Sequence, residues 1–192
     1  CQQLKGENFV NDGKQLVYHE QENGKRIQWH TLSVPRGGEY KLVLADGTRV
    51  WLNAASELMY PDHFSADQRK VVLKGEAYFE VTKDVKRPFS VVLGDMEVKV
   101  LGTSFNVSAY PGVKRQTTLI EGQVSVNWHR QQVVIRPGQQ AAETDEGLRV
   151  ASVNVMNYVG WKEHRFVYEN KLLGEVLEDL ERWYDVEVFV MH

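Results

Sequence analysis

The chain has 192 residues, is 42% hydrophobic and 26% charged, and carries a formal net charge of -3 with a single cysteine. These proportions belong to a folded globular protein long enough to bury a core, and they exclude a disordered or collagen-like chain. The acidic balance speaks against nucleic acid or an anionic membrane as the main partner. No run approaches the roughly 18 apolar residues of a membrane helix, and one cysteine makes neither an internal disulfide nor a cysteine-based zinc site.

Cys1 stands where a methionine would be expected. The chain is read as a fragment of a longer protein, with a lipidated cysteine of a mature lipoprotein as the alternative. Residues 1–26 are taken as an N-terminal segment or linker, and residues 27–152 as an all-β domain. Ile27 to Val34 alternates imperfectly until Pro35-Arg36-Gly37-Gly38 breaks it. Tyr40–Leu44 and Arg49–Leu52 flank Ala45-Asp46-Gly47-Thr48. Asp-Gly between two β-rich runs signals a hairpin, because glycine accepts the positive φ of a tight turn. Further strands are expected at Lys70–Leu73, Ala77–Val81, Phe89–Leu93, Met96–Val100, Ser104–Val107, Thr117–Ile120, Gln123–Val126 and Gln132–Ile135, closed by Arg136-Pro137-Gly138.

A loose echo runs through these strands: an apolar residue, a glycine, then an alternating apolar pair. It occurs at Leu44/Gly47/Val50/Leu52, Leu73/Gly75/Phe79/Val81, Val100/Gly102/Phe105/Val107 and Ile120/Gly122/Val124/Val126. The recurrence suggests stacked, solenoid-like β units, although a twisted β-sandwich with glycine turns imitates it. Residues 153–192 change character. Val155, Met156, Val159 and Trp161 fit a short helix or an irregular linker. Arg165–Tyr168 reads as a strand, Leu173 to Tyr184 repeats its apolar residues at helical spacing, Asp185 ends the helix, and Val186–Val190 reads as a second strand. The fold class is therefore mainly β, followed by a small, incomplete β-α-β module that needs a partner surface.

The search for chemistry yields no catalytic residue, no metal ligand set and no cofactor. Six histidines lie scattered without ligand spacing. Gly102-Thr103-Ser104 lacks the strand-turn-helix context of a nucleophile elbow. Glu76 and Glu80 share one face of a strand and form a possible acid/base pair, but the simpler reading has both facing solvent while Ala77, Phe79 and Val81 face the core. Trp51 and Trp128 could stack on a sugar, which keeps a carbohydrate-binding β module as the alternative function.

Leu42-x-Leu44-x-Asp46-Gly47-Thr48-x-Val50-Trp51-Leu52-Asn53-x-x-Ser56 resembles the opening block of the FecR family of anti-sigma proteins. Gly75-Glu76-Ala77-Tyr78-Phe79-Glu80-Val81 followed by Arg87-Pro88-Phe89-x-Val91 is similar to its central block. Val98-x-Val100-Leu101-Gly102-Thr103-x-Phe105-Asn106-Val107, Leu119-x-Glu121-Gly122-x-Val124 and Pro137-Gly138-Gln139 match the following ones. Trp161 and Leu173 to Val190 resemble the first half of the family's C-terminal domain, which is related to the short N-terminal domain of secretins and TonB-dependent receptors. The resemblance implies a structural role for Asp46, Gly47, Trp51, Asn53, Gly75, Glu76, Phe79, Pro88, Phe89, Gly102, Phe105, Asn106 and Gly122. It also implies the periplasmic part of a single-pass inner-membrane protein, with the membrane helix upstream of Cys1. Its partners would be the signalling domain of a TonB-dependent outer-membrane transporter and, through a cytoplasmic domain outside this sequence, an extracytoplasmic-function sigma factor. Receptor binding by strand addition would then use Phe166, Tyr168, Val186, Val188 and Val190.

Overall fold

The computed structural model describes residues 26–169 and 171–189 and, before them, the strand segments 4–5, 9–11 and 15–18. Two β-sheets share one long strand, β8 (Arg69–Glu80). The first sheet runs in the order β1 (Leu4–Lys5), β2 (Phe9–Asn11), β3 (Gln15–Tyr18), β5 (Tyr40–Val43), β6 (Arg49–Leu52), the second half of β8, β11 (Ser104–Ala109), β12 (Gln116–Glu121), β15 (Gln139–Thr144) and β16 (Gly147–Ser152). The second runs β4 (Trp29–Val34), β7 (Ser56–Pro61), the first half of β8, β9 (Phe89–Leu93), β10 (Met96–Val100), β13 (Val124–Trp128) and β14 (Gln131–Ile135). Pairing is antiparallel except between β3 and β5 and between β8 and β9.

The recurring glycines mark where the chain changes sheet. Residues 72–74 of β8 pair with β7, and residues 75–80 pair with β11. The corner is Gly75, with φ of +90°, where a Cβ would stand 2.4 Å from Ser56 Oγ. Two runs expected as separate strands are thus one strand bent at a glycine. Gly102 and Gly122 stand at the crossings from β10 to β11 and from β12 to β13, while Gly47 serves the β5–β6 hairpin. The sandwich-like, stacked reading of the echo is met in this form: successive hairpins alternate between the two sheets.

Alternation along each strand aims one side chain set between the sheets. Leu42, Val50, Leu52, Phe79, Phe105 and Leu119 of the first sheet meet Leu58, Val71, Leu73, Val91, Val98 and Val126 of the second, all buried. Phe79 stacks on Phe105 with ring centroids 5.2 Å apart, and Phe89 packs beside it. Asp46 orders the β5–β6 turn by accepting from the Thr48 amide and hydroxyl. Its second oxygen also pairs at 2.7 Å with Arg69, which is fully buried and donates to the carbonyls of Thr82 and Arg87. This pair explains why the Asp-Gly turn and the Arg87-Pro88-Phe89 segment belong to one structural unit.

Three expectations are corrected. The opening residues 1–26 are not only a linker, because β1–β3 extend the first sheet beyond β5. The strand series does not end at Ile135: β15 and β16 follow within the expected 27–152 domain, with too little apolar alternation to read in advance. After Ser152 come a short helix α1 (Met156–Val159), a 3₁₀ turn (Gly160–Glu163) and α2 (Leu173–Tyr184), which ends at Asp185 as its periodicity requires. The flanking runs at 165–168 and 186–189 do not form strands, since neither lies along a sheet edge that accepts its backbone groups.

Candidate functional site

The outer face of the first sheet is polar where its neighbours are apolar. Register places Glu76 opposite Ser108, Tyr78 opposite Asn106 and Glu80 opposite Ser104. Thr118 lies beside Asn106, and Gln140 beside Thr118, to which it donates at 2.9 Å. Phe79, Phe105 and Val107 use the other face of the same strands. This polar face is covered by the C-terminal segment.

Glu76 lies at the centre of the seam, and its expected solvent-facing position is corrected. Asn53 Nδ2 donates to one carboxylate oxygen and Asn106 Nδ2 to the other, both at 2.8 Å. The Asn106 carbonyl oxygen accepts from the indole N–H of Trp161 at 3.2 Å. Asn53, Glu76, Asn106 and Trp161 thereby form a hydrogen-bonded chain from the sheet into the C-terminal segment. Trp161 is buried, 7% exposed. Burial pushes the Glu76 carboxyl up to about 6, with the Asn106 and Asn53 amides opposing that rise. Nearby Tyr110, whose hydroxyl donates to Ala54 O at 2.9 Å, is raised by burial and by the Glu76 charge.

Cations clamp the same seam. Lys162 places its ammonium over the rings of Tyr78 at 4.2 Å and Trp51 at 5.0 Å, and lies 3.8 Å from Glu80. Arg182 of α2 stacks over Tyr110 at 4.4 Å and pairs with Asp179, which also receives Lys171. Between β4 and β5, Arg36 reaches the end of α2, donating to Val186 O at 3.2 Å, and the Gly37 amide donates to Arg182 O at 2.8 Å.

The residues expected for partner binding separate into two groups. Phe166 and Tyr168 stack on each other, and Phe166 meets Trp183 edge to face at 5.1 Å; both line the space above Glu76 rather than an open strand edge. Val186 and Val188 are exposed, and Val190 lies outside the described residues. Asp46, Gly47, Phe79, Pro88, Phe89, Gly102, Phe105 and Gly122 belong to turns, corners and core, whereas Asn53, Glu76, Asn106 and Trp51 belong to the seam. Tyr110, Lys162 and Lys171 carry no sequence signal for the seam, and Asp179 and Arg182 read only as the wetted face and the C-terminal cation of an amphipathic helix. The signal available was two asparagines in otherwise β-prone runs, a residue type that strands disfavour unless its amide is used.

The two candidate chemistries from sequence find little support in this geometry. Glu76 and Glu80 are separated by about 13 Å along a strand, beyond the spacing of either glycosidase arrangement. Arg49 holds Glu80 at 2.6 Å. Trp51 lies between the ammonium groups of Lys41 and Lys162, and Trp128 packs against Arg115 and donates to Asp95. Among the described residues no three metal-ligating side chains come together.

The sequence model of the FecR protein family matches residues 30–125, and that of the FecR C-terminal domain matches residues 165–192. This chain belongs to the FecR family of anti-sigma factors. Two crystal structures of a Parabacteroides distasonis protein described as an anti-sigma factor have the same fold. One is 31% identical with a TM-score of 0.80, covering 83% of this chain and 76% of the other. The second is 32% identical with a TM-score of 0.79, covering 82% and 76%. Among curated proteins none matches the chain. Within this FecR protein the Glu76 seam joins the two matched regions: Asn53, Glu76 and Asn106 come from the first, Phe166, Tyr168, Asp179 and Arg182 from the second, and Trp161 from the stretch between.

Proposed function

We propose that this chain is the signal-receiving part of a membrane anti-sigma factor, acting by protein–protein contact without catalysis, in the periplasm of a bacterium. Its upstream partner is the signalling domain of a TonB-dependent outer-membrane receptor. The regulated protein is an extracytoplasmic-function sigma factor, held by a domain outside this sequence. No helix among the described residues is long and apolar enough to cross a membrane, so the anchor of this reading also lies outside them.

The observation that carries the reading is the surface of the C-terminal segment. No residue of α2 is fully buried, and Leu172, Leu173 and Phe189 are 72%, 67% and 82% exposed, next to exposed Tyr184, Val186 and Val188. So many large apolar side chains in water on one short segment favour a protein partner. The run at 186–189 lies outside any sheet, and its Val186 and Val188 backbone groups are held only by Glu181 and Arg36, contacts that an added strand would replace. Titration calorimetry of the purified chain against its receptor's signalling domain tests this. Val188→Asp and Phe189→Asp should remove binding while the melting temperature of the β body stays unchanged. Unaltered affinity in both variants would refute the surface.

A further inference from the structure

Between the outer face of the first sheet and the C-terminal segment lies a cavity of about 300 Å³. That is the lower end of small-molecule sites and matches a ligand of roughly ten non-hydrogen atoms. Glu76 forms its floor. Each carboxylate oxygen already accepts one asparagine amide, yet among the described residues no lysine, arginine or histidine comes within ion-pair distance of it. The cations nearby are committed elsewhere: Lys171 to Asp179, and Arg182 to Asp179 and Glu178. A carboxylate drawn out of water with no direct ion pair, and only the more distant attraction of Lys171, is unfavourable unless it is protonated or a cation arrives.

The walls suit an organic cation. Tyr110, Trp161, Phe166 and Tyr168 present rings rather than the oxygen ligands a bare metal ion needs all round, and two of them already receive cations, Arg182 over Tyr110 at 4.4 Å and Lys171 over Tyr168 at 5.3 Å. Two further buried atoms on the lining have no hydrogen-bond partner, the Asn157 carbonyl oxygen and the Tyr168 hydroxyl. Both can accept from an N–H donor. The lining holds five carboxylates, of Glu76, Glu169, Glu175, Glu178 and Asp179, against the three cations Arg165, Lys171 and Arg182, so its balance is negative.

We propose that this cavity binds a small organic amine in its ammonium form, received by Glu76 and enclosed by the rings of Tyr110, Trp161, Phe166 and Tyr168. Such a ligand touches the sheet and the C-terminal segment together, so its binding tightens their docking. The inference does not depend on the identity of the protein partner proposed above.

Calorimetry of the whole chain with n-butylamine, ethanolamine and neutral n-butanol at millimolar concentration tests it. The amines should bind saturably at pH 7.5 and n-butanol should not. Glu76→Gln should weaken amine binding at least tenfold. Should that variant fold poorly, the wild-type chain alone suffices. With the floor carboxyl, faced by Asp179, Lys171 and Arg182, titrating at about 6, apparent amine affinity should fall about tenfold from pH 7 to pH 5. Equal binding of n-butanol, no amine binding, or an affinity indifferent to both pH and Glu76→Gln would overturn the proposal.

Discussion

The Glu76 carboxyl makes a specific demand on stability against pH. Its ordinary value is 4.5 and burial raises it to about 6 in the folded chain. Between those values the folded state binds more protons than the unfolded state, so stability is greatest on the acid side and falls as pH rises through the window. The gap corresponds to about 2 kcal/mol lost by pH 7, or about 4–8 °C in melting temperature for a chain of this size. Asp84, Asp95 and Glu143 work in the opposite sense. Their hydrogen bonds to arginine lower them, Asp95 to about 2, so their contribution is lost only as pH falls below the ordinary carboxylate range. The melting temperature should therefore pass through a maximum near pH 5 and decline toward pH 7, as read by scanning calorimetry. In Glu76→Gln the decline should flatten, because the uncharged amide has no proton to lose. A wild-type melting temperature that rises steadily from pH 5 to 7, or a variant with the same decline, would refute the assignment of a buried, ionising carboxylate to the seam.

Three further outcomes follow from named contacts. Trp161→Ala removes the indole from Asn106 and a buried ring, worth about 3–5 kcal/mol, so the C-terminal segment should undock. Trypsin cleavage after Lys162 and Arg165 should then accelerate at least a hundredfold, while Trp161→Phe, losing about 1 kcal/mol of hydrogen bond, should accelerate it only several-fold. Gly75→Ala would set a Cβ 2.4 Å from Ser56 Oγ and 2.7 Å from Ser56 Cα at a φ of +90°, and should destabilise by more than about 2 kcal/mol in urea unfolding. Gly112→Ala, also at positive φ but with nothing within 4 Å, should lose only about 1 kcal/mol in the same assay. Asp46→Ala leaves the fully buried Arg69 without its carboxylate and should lower unfolding free energy by about 3–5 kcal/mol, with Asp46→Asn milder because an acceptor oxygen remains.

Much of the β body was legible because its signals are local. Asp46-Gly47 declares a hairpin by its conformational preference, and the alternation of Val71, Leu73, Ala77 and Phe79 declares a buried face. The apolar period from Leu173 to Tyr184, stopped at Asp185, places α2 to the residue. What escaped has a physical reason in each case. Gly75 looked like a break between strands, since a glycine gives no sign of whether a strand ends or bends. β15 and β16 carry few apolar residues, so their pairing rests on backbone hydrogen bonds. The runs around Phe166 and Val188 have strand-like composition, yet a strand forms only where a neighbouring edge accepts it.

The seam shows most clearly how the two sources of information divide. By itself the sequence determined that Glu76 points away from Phe79, that an amphipathic helix follows the β domain, and that the motifs are those of a FecR protein, because all three are properties of neighbouring residues. Only the tertiary structure decided that the face bearing Glu76 is covered. Asn53 and Asn106 stand 23 and 30 positions from Glu76 in the chain and reach it through strand pairing, while Trp161, 55 positions beyond Asn106, bonds that amide only when the C-terminal segment lies across the sheet. Side-chain alternation assigns residues to a face. Whether water or protein lies against that face, and hence whether a glutamate is an ordinary surface acid or a buried charge at about 6, depends on contacts too distant in sequence for any local pattern to record.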